Sequence, residues 1–89
     1  MDEKNSIVER VRKFVFHQYP MARLHSINND HPLLEGGIVD SLGVLDLVQF
    51  MEDEFHMSIS DEDLSPENFQ SIRHLSNFIE KFVDKGSNA

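Results

Sequence analysis

Gly36-Gly37-Ile38-Val39-Asp40-Ser41-Leu42-Gly43-Val44-Leu45-Asp46-Leu47-Val48-Gln49-Phe50-Met51-Glu52-Asp53-Glu54-Phe55 decides how this chain folds. A flexible glycine pair leads through one acid and one hydroxyl into an amphipathic run of helical period. Asp40 has the chemistry of an N-cap, because its carboxylate can accept from the free N–H groups of a first helical turn. Ser41 then falls in that first turn, exposed beside a flexible loop, where amide donors and the positive end of the helix dipole favour an anion. A hydroxyl so placed suits a covalently attached phosphate ester.

At about 100° per residue, Val44, Leu47, Val48, Met51 and Phe55 share one face of the expected helix over 41–55. Asp46, Gln49 and Asp53 share the opposite face, with Glu52 on its flank, Phe50 near its edge and Leu42 on the outward side next to Ser41. An exposed leucine ringed by acids is the pattern of a docking surface for a basic partner.

Outward from this stretch, Ser6-Ile7-Val8-Glu9 reads as a capping box, and Ile7, Val8, Val11, Phe14 and Val15 follow one helical face. A first helix over about 6–19 is expected, stopping before Pro20. From Pro20 to Val39 no period is sustained, and Asn28-Asn29-Asp30-His31-Pro32 is turn chemistry. Met21, Leu24, Ile27, Leu33, Leu34 and Ile38 are the side chains expected to pin this long loop across the helices. Ser65-Pro66 predicts a short third helix over 65–69, with Ser65 as hydroxyl N-cap and with Ile59, Leu64 and Phe69 as its apolar anchors. Ile72, Leu75, Phe78, Ile79, Phe82 and Val83 predict a last helix over 71–84, followed by a frayed tail over 86–89. The expectation is all-α.

The formal charge is −8, which argues against nucleic acid or an anionic membrane as partner and favours basic protein surfaces. It is also unevenly placed, since no Lys or Arg occurs between Leu24 and Ile72. There is no cysteine, so thiolate chemistry would have to come from a prosthetic group. No apolar run reaches membrane-spanning length and Met1-Asp2-Glu3-Lys4 lacks a signal-peptide plan, so cytoplasm is the expected location. His17, His25, His31, His56 and His74 show no metal-ligand spacing. Asp61-Glu62-Asp63 fails as a calcium loop, because Pro66 stands where glycine is needed and Ile72 where the bidentate glutamate belongs. No catalytic residues and no metal site are expected.

Asp40-Ser41-Leu42 at a helix start, followed by Asp46-Leu47-Val48 and the acidic-aromatic end Glu52-Asp53-Glu54-Phe55, resembles the acyl carrier protein family. The resemblance covers roughly Leu33 to Phe82 with specific residues. It implies a small four-helix bundle, with a long loop between the first and second helices, forming a single carrier domain over 1–89. It further implies 4′-phosphopantetheine esterified to Ser41, Asp40 as the helix cap beside it, and Leu42, Asp46, Gln49, Glu52 and Asp53 as partner-docking residues. The implied partners are a phosphopantetheinyl transferase, an acyl- or aminoacyl-loading ligase and downstream biosynthetic enzymes with basic docking surfaces; nothing calls for an oligomer. Gly43 departs from the family pattern, since fatty-acid-type carriers usually have an acid there. That points to a specialised pathway, with a type II fatty acid or polyketide carrier as the alternative within the family. An unmodified acidic adaptor binding a basic protein is the alternative outside it.

Overall fold

In the computed structural model, which describes residues 3–87, every regular element is helical. Helix α1 spans Glu3–Gln18, α2 Pro20–Leu24, α3 Gly43–Phe55 and α4 Ile72–Ser87. Two 3-10 turns, Asp61–Asp63 and Pro66–Phe69, lie between α3 and α4. The bundle is built mainly on α1 packed against α4, with α3 and the second 3-10 turn closing over α4.

One core joins these elements. Ile7, Val11 and Val15 from α1 meet Leu47 and Met51 from α3, Phe69 from the second 3-10 turn, and Ile72, Leu75 and Ile79 from α4. Each stripe has helical spacing, so the apolar residues that wrote the period are those that leave water. Phe14, Phe50 and Phe55 are half-buried at the seam between α1 and α3. There Phe14 stacks on Phe50 at 4.1 Å between ring centroids, and Phe50 meets Phe55 edge-on at 5.9 Å.

Several element ends differ from the sequence reading. Helix α1 starts at Glu3, so Ser6 lies inside it rather than capping it; no glycine or proline over residues 3–5 stops the helix from running back. It ends at Gln18, because Tyr19 is extended (φ −118°, ψ 103°), the conformation a following proline imposes. Pro20 then starts α2, a helix inside the stretch where the sequence sustains no period. Proline is well suited to the first helical position, and five residues are too few to show a period. Met21 and Leu24 do not pin the loop: they are 41% and 75% exposed, while Ala22 carries the burial of α2.

The loop is held, as expected, by the buried Ile27, Leu33 and Ile38 and the half-buried Leu34, joined by buried Val39. Leu33 is its node: its N–H donates to the Gln70 carbonyl (2.8 Å), and its carbonyl accepts from Ile38 (2.9 Å) and Val39 (3.0 Å). Arg73 pairs with Asp30, and its hydrogen bonds hold the Asp30 carboxyl below its ordinary value. A β-carbon on Gly36 would come within 2.3 Å of the Pro32 carbonyl oxygen and 2.8 Å of His31 Nε2, so only glycine fits. Gly37 takes φ +75°, which glycine adopts without steric cost.

The first 3-10 turn was not expected; Ser60 N–H and Oγ both donate to Asp63 Oδ2 at its start (3.2 and 2.9 Å). Of the anchors predicted nearby, Phe69 is buried, Ile59 half-buried and Leu64 40% exposed. Ser65 starts the second turn through its carbonyl, which accepts from Asn68 N–H (3.1 Å), and makes no side-chain cap. At the last helix, Ser71 Oγ accepts from His74 N–H (3.1 Å) and so caps α4. Helix α4 continues through Gly86 to Ser87, because glycine near a helix end costs little and no proline stops it. The remainder of the expected tail, residues 88–89, lies outside the described residues.

Candidate functional site

The site is the start of α3. Regular helix begins at Gly43, two residues later than expected, yet its hydrogen bonding begins at Asp40. The Asp40 carbonyl accepts from Val44 N–H (3.2 Å), and Asp40 Oδ1 accepts from Gly43 N–H (2.7 Å). That is the bonding of a capping aspartate, with Ser41 and Leu42 forming the opening turn. Ser41 is exposed, and Leu42 stands 76% exposed beside it. Immediately before them, Ile38 and Val39 are buried, so the exposed turn rises from a fixed base.

Tyr19 ties α1 to this turn from beneath. Its hydroxyl donates to the Gly43 carbonyl (2.8 Å). Burial, then the nearby carboxylates of Asp46 and Asp40, push its pKa up to about 12. Gly43 is buried against it: a β-carbon there would meet Val39 Cγ1 at 2.9 Å, Asp40 Oδ1 at 3.3 Å and Tyr19 Cε1 at 3.4 Å. Packing against Tyr19 and Val39 therefore favours glycine at position 43, since a β-carbon there would have to displace Val39.

The remaining predicted residues divide. Asp46, Gln49 and Asp53 are exposed along the same side of α3 as Leu42, and Gln49 Nε2 donates to both carboxylate oxygens of Asp53 (3.0 Å each). Glu52 is set apart. It is half-buried, and its Oε2 accepts from Ile59 N–H (3.4 Å), holding the chain that leaves α3. Sequence reasoning missed two residues. Leu45 is 62% exposed and extends the apolar surface begun by Leu42; its spacing of three from Leu42 was the available signal. In sequence Tyr19 marks only a helix end, and nothing local signals its bond to a residue 24 positions away.

Among the described residues no three His, Asp or Glu side chains gather to hold a metal ion, and no helix is long and apolar enough to cross a membrane. What the site offers is an accessible hydroxyl on a capped helix start, flanked by two exposed leucines and a line of acids. These features fit a phosphate ester at Ser41: the hydroxyl faces solvent, the base beneath it is packed, and the helix start favours an anion.

The family model described as "Phosphopantetheine attachment site" matches residues 21–79, a span that contains this turn. An acyl carrier protein of Buchnera aphidicola subsp. Baizongia pistaciae is 30% identical over 78 residues, 88% of this chain and 96% of that protein. An acyl carrier protein of Solidesulfovibrio magneticus is 32% identical over 76 residues, covering 85% of this chain and 94% of its own length. A probable acyl carrier protein, PigG, of a Serratia species is 31% identical over 55 residues, 62% of this chain and 63% of that protein.

Proposed function

We propose, from the premise that this chain belongs to the acyl carrier protein family, that Ser41 is the residue to which its prosthetic group is attached. The family is one of carriers rather than enzymes, and its group is 4′-phosphopantetheine. When attached, that group supplies a flexible arm whose terminal thiol holds acyl groups as thioesters. The observation that carries the assignment to Ser41 is its exposed hydroxyl in the opening turn of α3, held by the Asp40 cap.

Each neighbour has a role in this reading. Asp40 fixes the turn by accepting from Gly43 N–H. Tyr19, Ile38 and Val39 keep the base of the turn packed, so the modified residue is presented to solvent and not drawn into the core. Loading is a phosphoryl transfer by a separate transferase: the Ser41 oxygen forms the new bond to phosphorus, its proton passes to the transferase, and the nucleotide part of coenzyme A leaves.

Leu42, Asp46, Gln49 and Asp53 form the docking face for that transferase, for a loading ligase and for downstream enzymes with basic surfaces, and Glu52 contributes from its flank. Contacts of this kind are brief and salt-sensitive. The chain acts as a single carrier domain, a monomer, in the cytoplasm. Gly43, where fatty-acid-type carriers usually have an acid, supports a specialised biosynthetic pathway with acyl or aminoacyl cargo.

Incubation with coenzyme A and a broad-specificity phosphopantetheinyl transferase, read by intact mass, tests the assignment. One added phosphopantetheine is expected, absent from Ser41→Ala. A folded protein that gains no mass would overturn it and leave an unmodified acidic adaptor as the better reading.

A further inference from the structure

In this acidic chain, cations without an acid lie together on α1 and α2. Arg10 and Arg73 each pair with a carboxylate, but Arg12, Lys13 and Arg23 pair with none among the described residues. Arg12 lies 4.4 Å over the Phe16 ring and donates from Nη1 to the neutral Asn29 side-chain oxygen (3.0 Å). Arg23 donates from Nη1 to the carbonyls of Phe16 and His17 (3.2 Å to the second), at the C-terminal end of α1. Lys13 and His17 are exposed one turn apart on the same helix. Glu9, one turn before Lys13, bonds none of these cations. A guanidinium stays charged and carries five donors in a planar fork. In both arginines one nitrogen is engaged by neutral acceptors, which fixes the cation without cancelling its charge. A cation already held in place loses little freedom on meeting an anion.

Met21 and Leu24 adjoin Arg23 on α2, and both are exposed; three residues apart, they share its outer side. Tyr19, between the two helices, bonds the Gly43 carbonyl, so this flank stands at the same end of the molecule as Ser41. It turns away from α3, which α1 meets through Phe14. We propose that the flank formed by Arg12, Lys13, His17, Met21, Arg23 and Leu24 receives an acidic segment of a partner protein, one that carries apolar side chains among its carboxylates. Charge complementarity selects this occupant: carboxylates meet the unused guanidinium donors and the lysine ammonium, while apolar groups cover Met21 and Leu24. An anionic bilayer offers similar chemistry but repels a chain of charge −8. With the acids of α3 across the serine turn, the two flanks of Ser41 bear opposite charge. A partner acidic on one side and basic on the other docks in one rotation about Ser41 and is repelled in the reverse one. That use rests on the carrier reading above; the binding itself does not.

The probe is a synthetic amphipathic peptide of glutamate and leucine, titrated at low ionic strength into isotopically labelled protein and followed by NMR. The same peptide with lysine in place of glutamate is the comparison. Saturating shifts are expected at Lys13, His17, Met21, Arg23 and Leu24 from the acidic peptide alone. Lys13→Glu, at an exposed position in the body of α1, weakens binding about tenfold, and Leu24→Ser weakens it several-fold. Ser41→Ala titrates like the parent protein, so the result is independent of whether Ser41 is modified. Equal shifts from both peptides, shifts centred on α3, or an unaltered titration in both folded variants would overturn the proposal. Co-sedimentation with phosphatidylglycerol vesicles, lost in Lys13→Glu and without peptide binding, would assign the flank to a membrane and overturn it as well.

Discussion

Gly43 and Tyr19 have to be considered as a pair. Replacing Gly43 by alanine gains helix propensity worth at most about 0.5–1 kcal/mol, less in a first turn. Against that stands a β-carbon 2.9 Å from Val39 Cγ1, and overpacking of this kind costs about 1–3 kcal/mol. Gly43→Ala is therefore expected to destabilise the domain by about 1 kcal/mol in urea unfolding, the reverse of what propensity alone gives. Tyr19→Phe removes one hydrogen bond, from a carbonyl that the helix also uses, and is expected to cost about 1 kcal/mol. Because the folded pKa of Tyr19 is raised from 10.0 to about 12, folding favours the neutral phenol. That contribution is complete below pH 10.0 and is lost as pH rises toward about 12. The urea midpoint should fall faster over this range than in Tyr19→Phe, and parallel curves would refute the buried-phenol account. Tyr19 is the only tyrosine, so near-ultraviolet absorbance follows its ionisation directly. The cap at Asp40 could be read from sequence because an acid before a helical period is local chemistry. The Tyr19 bond could not, because only the packing of α1 on α3 brings the two residues together.

Helix α3 divides its labour along its length as well as around its circumference. Its inner stripe, Leu47 and Met51 with Val44, Val48 and Phe55, followed from period alone, and so did the outward position of Asp46, Gln49 and Asp53. Glu52 and Leu45 show where period stops being informative. Both lie near the boundary between faces, and what settles them is the chain leaving the helix at Ile59 and the absence of anything covering Leu45. Asp46→Lys with Asp53→Lys is expected to slow loading of Ser41 by the transferase without unfolding the domain, since both are exposed. Unchanged rates would remove the acids of α3 from the docking account. Helix α2 escaped the sequence reading for a different reason. Its one buried residue, Ala22, is too small to stand out beside the larger but exposed Met21 and Leu24, and Pro20 reads as an end as readily as a beginning.

For the molecule as a whole, a charge of −8 makes salt act in opposite directions on two properties. Screening relieves self-repulsion and should raise the melting temperature of the free protein, while the same screening weakens attraction to a basic partner. Measured across one salt series, stability and docking affinity should diverge; a common direction would mean that the charge is not what drives docking. The long connection between α2 and α3 looks in sequence like the loosest part of the chain, and its end differs from that impression for one structural reason. Leu33 binds backward to Gln70, at the threshold of α4, and forward to Ile38 and Val39, next to the serine turn. A connection fastened this way behaves as a strut. The amides of Leu33, Ile38 and Val39 should exchange with solvent as one cooperative unit, and displacement of the Pro66–Phe69 segment by a bound enzyme would be felt at Ser41 within the span of a single residue's two hydrogen-bonding groups.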